Sequence, residues 1–571
     1  MTIRTTVAQV LTCFDGEFAE VAKAFARGEY LLWLGSGISR GVVPGISVLL
    51  ERMISFLQSN VNGADPTCRF RKALDEVLDV AGLPVGVRGS IDLATPVDRW
   101  PELEDIVSRL VDKYSDVLDI QVQGEAADYL VWSGLDVSAT YGAPGLVPDV
   151  EHLCVGLLML EGVVRSAPTT NWDGLVEAGM ERLTGSPDAV LRVIVRPSDF
   201  RDADRQAELV KFHGCAVRAA VSEADYRHLL IARKSQISGW TTKPENQLMM
   251  HHLEHLFASR PALIVGLSAQ DANIHTMLHA ASRSLAREWP TSPPAVVFAE
   301  QHLGYHHKHV MKMTYGDFYT PNSDAIGRSA LLGAYAKPAL TGLLLFTLAD
   351  KLCALMDYVP ELNLTSGEID TVRAGVHHLR DVAGRLADAD PRAFIEALVS
   401  TMTLTLSVFR QGRIPDPHSL HYQPISSAPI TRALADPDFP CAALGRLAIA
   451  VALLGRGEDD GRWRLELGSP ATPSQGVLRL ESRGEVCRVF IVRDSRALAQ
   501  LEADGVVDHA DQEVLVIHAE AARRPTVRSP RGRYGRTGHS GARYVDLEGL
   551  CTTVHTTDEL FEWFRLEGAL P

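Results

Sequence analysis

Ten residues, Leu31 to Arg40, constrain this chain more than any other stretch: Leu-Leu-Trp-Leu-Gly-Ser-Gly-Ile-Ser-Arg. An apolar run of strand length breaks into a Gly-Ser-Gly turn, and past Pro44-Gly45 a helix-periodic stretch runs from Ile46 to Leu57. This order suits an anion site. A buried strand delivers the chain, glycines let the backbone come close, and a helix start offers free N–H groups. Glycine turns after strands are also common, so the other walls of a pocket must come from elsewhere in the chain.

Short apolar runs bounded by turn residues recur at 162–168, 190–195, 209–212, 262–266 and 295–298, with helical segments between several of them. Strands alternating with helices imply an α/β fold, a Rossmann-like parallel sheet with helices on both faces and ligands outside the strands' carboxyl ends. One amphipathic helix is expected over 14–27, before the first strand. Residues 59–161 carry helical patterns such as Ile106-Val107-x-x-Leu110-Val111 and no run of strands, which predicts a helical insertion lying over the first strand's carboxyl end.

Four motifs each sit just past an inferred strand: Gly35-Ser36-Gly37, Asn171-Trp172-Asp173, His213-Gly214 and Gly266-Leu267-Ser268. In a parallel sheet all four meet at one edge. Singly, Asn171 and Asp173 also suit helix caps, Gly266 and Ser268 an ordinary loop, and His213 a hydrogen-bonded structural histidine. Together on one edge they point to a binding pocket.

The blocks Gly35-Ser36-Gly37-Ile38-Ser39, Thr170-Asn171-Trp172-Asp173-Gly174-Leu175, Lys211-Phe212-His213-Gly214 and Val265-Gly266-Leu267-Ser268 resemble, in order and separation, the signature blocks of sirtuin-like NAD-binding domains. The resemblance covers about residues 15–325. It is most similar to the sirtuin-like effectors of bacterial antiviral defence, where the stretch 220–229, Ala-Val-Ser-Glu-Ala-Asp-Tyr-Arg-His-Leu, also has a counterpart. Deacylating sirtuins follow the first block with an Asp-Phe-Arg element, whereas this chain has Val43-Pro44-Gly45-Ile46-Ser47. They also carry two Cys-x-x-Cys pairs after the His-Gly block, where only Cys215 stands here. The resemblance therefore implies cleavage of the nicotinamide–ribose bond with water as acceptor, without a structural zinc module and with no metal site.

On that reading NAD is the substrate. Asn171 holds the ribose and a water, because an amide accepts and donates hydrogen bonds at once. His213 orients the ribose hydroxyls or acts as general base. Asp173 positions Asn171, binds a ribose hydroxyl, or caps the following helix. By resemblance and position, Gly35, Ser36, Gly37, Ser39 and Thr170 bind NAD, the glycine block at its phosphates, and Gly266 and Ser268 lie at the adenosine end. The implied function is an NAD glycohydrolase that depletes NAD as an antiphage effector. Two alternatives stand beside it: a nucleotide sensor that gates assembly without cleaving, and an NAD-dependent deacylase. Such effectors depend on self-assembly or on a partner such as a HerA-type ATPase or a short Argonaute, so a homo-oligomer or a defence partner is expected.

At 571 residues the chain exceeds one core, and its divisions are read as 1–325 for the NAD-binding domain, 326–457 for a helical region and 458–571 for a small α/β domain. The last carries strand-like runs at 464–467, 476–480, 487–492 and 513–517, and no acidic set ending in Glu-x-Lys of the metal-dependent nuclease kind. A formal charge of −15 argues against a general nucleic-acid or membrane coat. Seven arginines between Arg523 and Arg543 nevertheless form a local basic loop that suits nucleic acid or an acidic partner, or simply a solvated loop. The eight cysteines are scattered, without a zinc knuckle or redox pair. No signal-like start and no apolar stretch of spanning length is read, so no membrane contact and a cytoplasmic location are expected.

Overall fold

The computed structural model describes residues 5–571 except 66, 144, 285–286, 473–474 and 522–540. Of the arginine-rich loop, residues 523–540 lie outside the described residues, so that reading concerns a segment not described. Six strands make the central sheet: β1 (Leu31–Leu34), β2 (Ser166–Thr169), β3 (Leu191–Ile194), β4 (Ala207–Lys211), β5 (Ala262–Val265) and β6 (Val296–Ala299). Their order is β3-β4-β2-β1-β5-β6 and every pairing is parallel, with Leu34 opposite Thr169 on one side of β1 and Val265 on the other. From β1 the chain crosses to β2 on one side; from β5 it crosses to β6 on the other. The connections part between β1 and β5, which leaves a crevice at the carboxyl ends of those two strands.

Side chains alternate across this sheet with the period of two that strands impose. Leu31 and Trp33 point into a core shared with Ile264, Phe298 and the helices Gln247–Ser259 and Ala272–Ser284. Leu32 and Leu34 point the other way, into a core with Ala167, Leu209, Val265 and the helices Val7–Asp15, Val150–Leu160 and Ala336–Met356. All four are buried completely, each worth roughly 1.5–3 kcal/mol. The long β1-to-β2 crossover holds the helices from Ile46–Ser59 to Val150–Leu160, and its first part packs a separate core of its own around Met53, Leu74, Ile106 and Leu130.

The helix expected over 14–27 is instead two, Val7–Asp15 and Ala19–Ala26. Thr6 and Gln9 form a capping box at the first start, and Gly16 ends it with φ −119°, ψ −109°. Beyond the sheet, the helices Ala336–Met356, Ser366–Ala389, Pro391–Gln411 and Cys441–Asp459 pack on one another. The break between the second and third falls at Asp390, whose side chain accepts Arg392 N–H and Ala393 N–H ahead of Pro391. Ala336–Met356 and Pro391–Gln411 are long and apolar enough to cross a membrane by length and composition, and the apolar window of the first is 83% buried inside the protein.

Lys351, in the last third of that first helix, and Glu161, between the helix Val150–Leu160 and β2, are both fully buried and paired at 2.6 Å. The Lys351 ammonium also donates to the carbonyls of Glu161 and Ser426, and the Glu161 carboxylate accepts from Tyr422 Oη and Ile425 N–H. This clasp fastens the helical region to the start of β2.

A second sheet follows, with β7 (Arg464–Leu467), β8 (Leu478–Ser482), β9 (Glu485–Val492), β10 (Val514–His518) and β11 (Arg543–Asp546) in the order β11-β10-β9-β8-β7. The β7–β8 and β8–β9 pairs are antiparallel, and β9–β10 and β10–β11 parallel. Strand β11 and the helix Leu547–Thr553 after it add to the strands legible in the sequence, because Arg-Tyr-Val-Asp has no apolar run to announce a strand.

Candidate functional site

The four motifs do converge on the crevice. After β1, Gly35 and Gly37 lie against Gly266 of the loop after β5. A Cβ on Gly35 would stand 2.4 Å from the Gly266 carbonyl oxygen, and Gly37 N–H donates to that same oxygen at 2.8 Å. Gly266 itself takes φ +67°, in the left-handed region that favours glycine. The three glycines thus form a backbone-on-backbone floor, and Gly35, Gly37 and Gly266 sit beneath the cavity rather than on its wall. Ser36 and Ser268 rise from it and line the cavity. Ser39 does not. It is fully buried, donating to Asp173 Oδ2 at 3.0 Å and lying 3.1 Å from His152 Nε2.

The turn after β2 supplies Thr170, Asn171, Trp172 and Asp173, all on the cavity wall. Thr169 Oγ1 accepts Asn171 N–H at 3.0 Å, which bends the chain, and the Asn171 amide donates from Nδ2 to the Gly35 carbonyl at 3.2 Å. That fixes the amide's orientation. Asn171 Oδ1 is left buried with no partner, a costly state for a polar atom unless a ligand or water meets it. Asp173 is well satisfied: Oδ1 accepts Leu175 N–H at 3.1 Å at the first residue of the helix Leu175–Thr184, and the fully buried Lys211 ammonium donates to its backbone carbonyl and to Glu177. Burial disfavours the Lys211 charge, but Cys215, Glu177 and Asp173 together raise its pKa above the ordinary value.

His213 follows β4 and is buried against Phe212 at 4.7 Å between ring centroids. Its Nε2 lies 3.2 Å from Asp271 Oδ2, close enough for ion pairing but without hydrogen-bond alignment; catalytic contacts often tighten only around substrate. Burial pushes the His213 imidazole below its ordinary pKa, and the Asp271 carboxylate opposes that. The ring is therefore neutral near pH 7 and free to accept a proton. Asp271 is held by the loop after β5, where Ala269 takes φ +54° while its carbonyl accepts from His275 Nε2 at 2.7 Å. In the sequence Asp271 reads only as the acidic residue before a helix; its distance of five residues past Gly266, on a strand-end loop, is the one signal that marks it.

The cavity enclosed is about 390 Å³. Its floor and one side are polar, with Ser36, Arg40, Thr170, Asn171, Asp173, His213, Ser268 and Asp271. The opposite side comes from the β1-to-β2 crossover and is largely apolar: Leu49, Leu50, Met53, Val111, Leu118 and Leu135, with Tyr114 and Tyr141. Burial and the nearby Asp271 push the Tyr114 phenol up to about 12, so it is a neutral donor. Gly45, at the start of the helix Ile46–Ser59, is also on the wall, and no side chain caps that helix start, which leaves N–H groups for an anion. A pocket with a polar floor, free helix-start N–H groups and an apolar roof fits a nucleotide with a ring at one end. Among the described residues no cluster of histidine, cysteine and carboxylate side chains is arranged to hold a metal ion.

Residues 165–321 match the SIR2-like domain family. The matched segment runs through β2 to β6 and contains Asn171, Asp173, His213, Gly266, Ser268 and Asp271. Strand β1 and its glycine turn precede the match and join it by pairing with both β2 and β5. No curated protein matches the chain. SIR2-like domains bind NAD and many are NAD-dependent enzymes, so the match is consistent with an NAD-related function for the cavity.

Proposed function

We propose that the chain is an NAD glycohydrolase, releasing nicotinamide and depleting NAD as an antiphage effector whose activity is gated by self-assembly or by a defence partner such as a HerA-type ATPase or a short Argonaute. The observation that carries the catalytic part is the orphaned, buried Asn171 Oδ1, on a residue that lines the same cavity as His213 and Asp271. An amide oxygen with no partner in a buried polar wall suits a hydroxyl or a water of the substrate complex. The reaction asks little acid catalysis, because the pyridinium ring leaves as a neutral base. Water attacks C1′ of the nicotinamide ribose, the C–N bond breaks with its electron pair passing to the ring nitrogen, and the water's proton goes to neutral His213. ADP-ribose and nicotinamide are the products. Asn171 holds the ribose and the water in line, and Ser36 and the uncapped helix start receive the phosphates. Gating fits the chemistry, since unrestrained NAD loss would poison the host cell.

The test is nicotinamide release by the full chain, alone and with candidate partners, for the wild type and for Asn171→Ala and His213→Ala. Loss of at least ~100-fold in either folded variant is expected, in line with the worth of one general base. Near-wild-type turnover in both would overturn the assignment. NAD binding without nicotinamide release under every activating condition would leave the nucleotide-sensor reading instead.

A further inference from the structure

The turn that carries Asn171 is held from behind by a chain of hydrogen bonds that begins in the helical region. Lys337, in the first turn of Ala336–Met356, donates to Asp149 Oδ2 at 2.8 Å. Asp149 N–H donates to His152 Nδ1 at 3.2 Å. His152 Nε2 lies 3.1 Å from Ser39 Oγ, and Ser39 Oγ donates to Asp173 Oδ2 at 3.0 Å. The donors fix the tautomer. A nitrogen that accepts a backbone N–H carries no proton, so Nδ1 is bare and Nε2 bears the hydrogen. Ser39 has one hydrogen, and it is committed to Asp173, so its oxygen must accept from His152. The chain therefore runs in one direction, from Asp149 N–H through His152 and Ser39 to the Asp173 carboxylate.

Capping alone does not account for His152. As the third residue of the helix Val150–Leu160 it receives the Asp149 N–H at the helix start, and that explains Nδ1. It leaves Nε2–H, which in a site with no solvent exposure needs an acceptor, and the acceptor is a serine on the glycine turn of the cavity floor. Burial also pushes the His152 pKa down, against Asp173, Asp149 and Glu177, in keeping with a neutral ring.

We infer that His152 is a positioning residue for the Asn171 turn, acting through Ser39 and Asp173, and that Lys337 ties the far end of this chain so that the helical region bears on the cavity wall. Asp173 thereby belongs to the scaffold of the turn, its carboxylate spoken for by Ser39 and Leu175. The inference rests on the NAD-cleavage reading only for its kinetic consequence; its structural consequence stands apart from it.

Two measurements on the full chain test it. Hydrogen–deuterium exchange of peptides covering 165–184 needs no substrate, and nicotinamide release reports the chemistry. His152→Phe, which keeps the volume and removes both nitrogens, is expected to speed exchange in that segment and to lower kcat at least ~10-fold with KM changed less than ~3-fold, the signature of a misplaced catalytic group. His152→Gln, which can accept at one end and donate at the other, is expected to restore both. Lys337→Met is expected to speed exchange in the same segment to a smaller degree. Wild-type exchange in His152→Phe would overturn the inference, as would a His152→Gln protein as impaired as His152→Phe, because an acceptor and a donor in place of the two nitrogens would then not hold the turn. Unchanged exchange in Lys337→Met would overturn the link to the helical region. A wild type that never releases nicotinamide would sink the proposed function, while the exchange measurement would still decide the positioning role.

Discussion

Asp271 divides its carboxylate between two partners: Oδ1 accepts the Asn273 N–H at 2.7 Å, and Oδ2 stands 3.2 Å from His213 Nε2. One oxygen is fixed by the start of the helix Ala272–Ser284 and the other is left for the imidazole. The carboxylate raises the basicity of His213 against the burial that lowers it. Asp271→Asn keeps the cap and removes the charge. Nicotinamide release should fall ~10-fold or more, and the acidic limb of its pH profile should move to lower pH, because burial alone then sets the His213 pKa. An unmoved limb with unchanged rate would show that Asp271 does not act on His213.

Gly37→Ala should disrupt the floor. Its Cβ would stand 2.0 Å from Tyr335 Oη, 2.6 Å from Gly266 Cα and 2.7 Å from the Gly266 oxygen. Tyr335→Phe removes only the first of these contacts, so the double variant should stay defective in NAD binding by calorimetry. Recovery of binding in the double variant would mean that the Gly266 backbone gives way more easily than close packing implies.

Lys351→Met should destabilise the chain by about 3–5 kcal/mol, because it leaves the fully buried Glu161 carboxylate without its cation. Burial lowers the Lys351 pKa and Glu161 opposes this, so the pair is held by mutual attraction rather than by solvent. Lys351→Met with Glu161→Gln should recover part of the loss in chemical denaturation. Additive losses would argue that the two side chains act independently.

The contribution of two buried carboxyls to stability should fall as pH rises toward neutrality. Burial pushes the carboxyls of Glu151 and Glu300 up to about 7, opposed by Lys337 and Arg40 respectively. A raised carboxyl pKa means that at these two sites the folded chain binds more protons than the unfolded one between roughly pH 4.5 and 7, so their contribution to stability declines over that window. Glu151→Gln should flatten the decline by up to a few kcal/mol, since one pKa unit corresponds to about 1.4 kcal/mol. A melting temperature whose pH dependence is the same in Glu151→Gln and the wild type would contradict this.

The central sheet is legible in the sequence because buried parallel strands are short unbroken apolar runs, as at Leu31–Leu34 and Ala262–Val265, and the site is legible because such strands deliver their following turns to one edge. What is not legible depends on distant pairing. Nothing near Ser39 says that its hydroxyl turns away from the cavity toward Asp173, since its partners come from positions 152 and 173. Asp271 looks like any helix-capping acid until the fold places His213 beside it. The short strand β11 is held by register with β10, Val516 opposite Tyr544 and Ile517 opposite Val545, and not by its own composition.

The glycine floor divides the pocket into parts with different freedom to change. Gly35, Gly37 and Gly266 meet with no side chain between them, so two loops some 230 positions apart in the chain behave as a single plate, and a substitution in one is felt by the other. The roof is built from the crossover helices, with an apolar core of its own around Met53 and Leu130. Changes at Leu49, Val111 or Leu135 can therefore reshape what the pocket admits while the plate and the groups standing on it keep their places. Ligand choice and bond-breaking chemistry are, in this fold, adjustable separately.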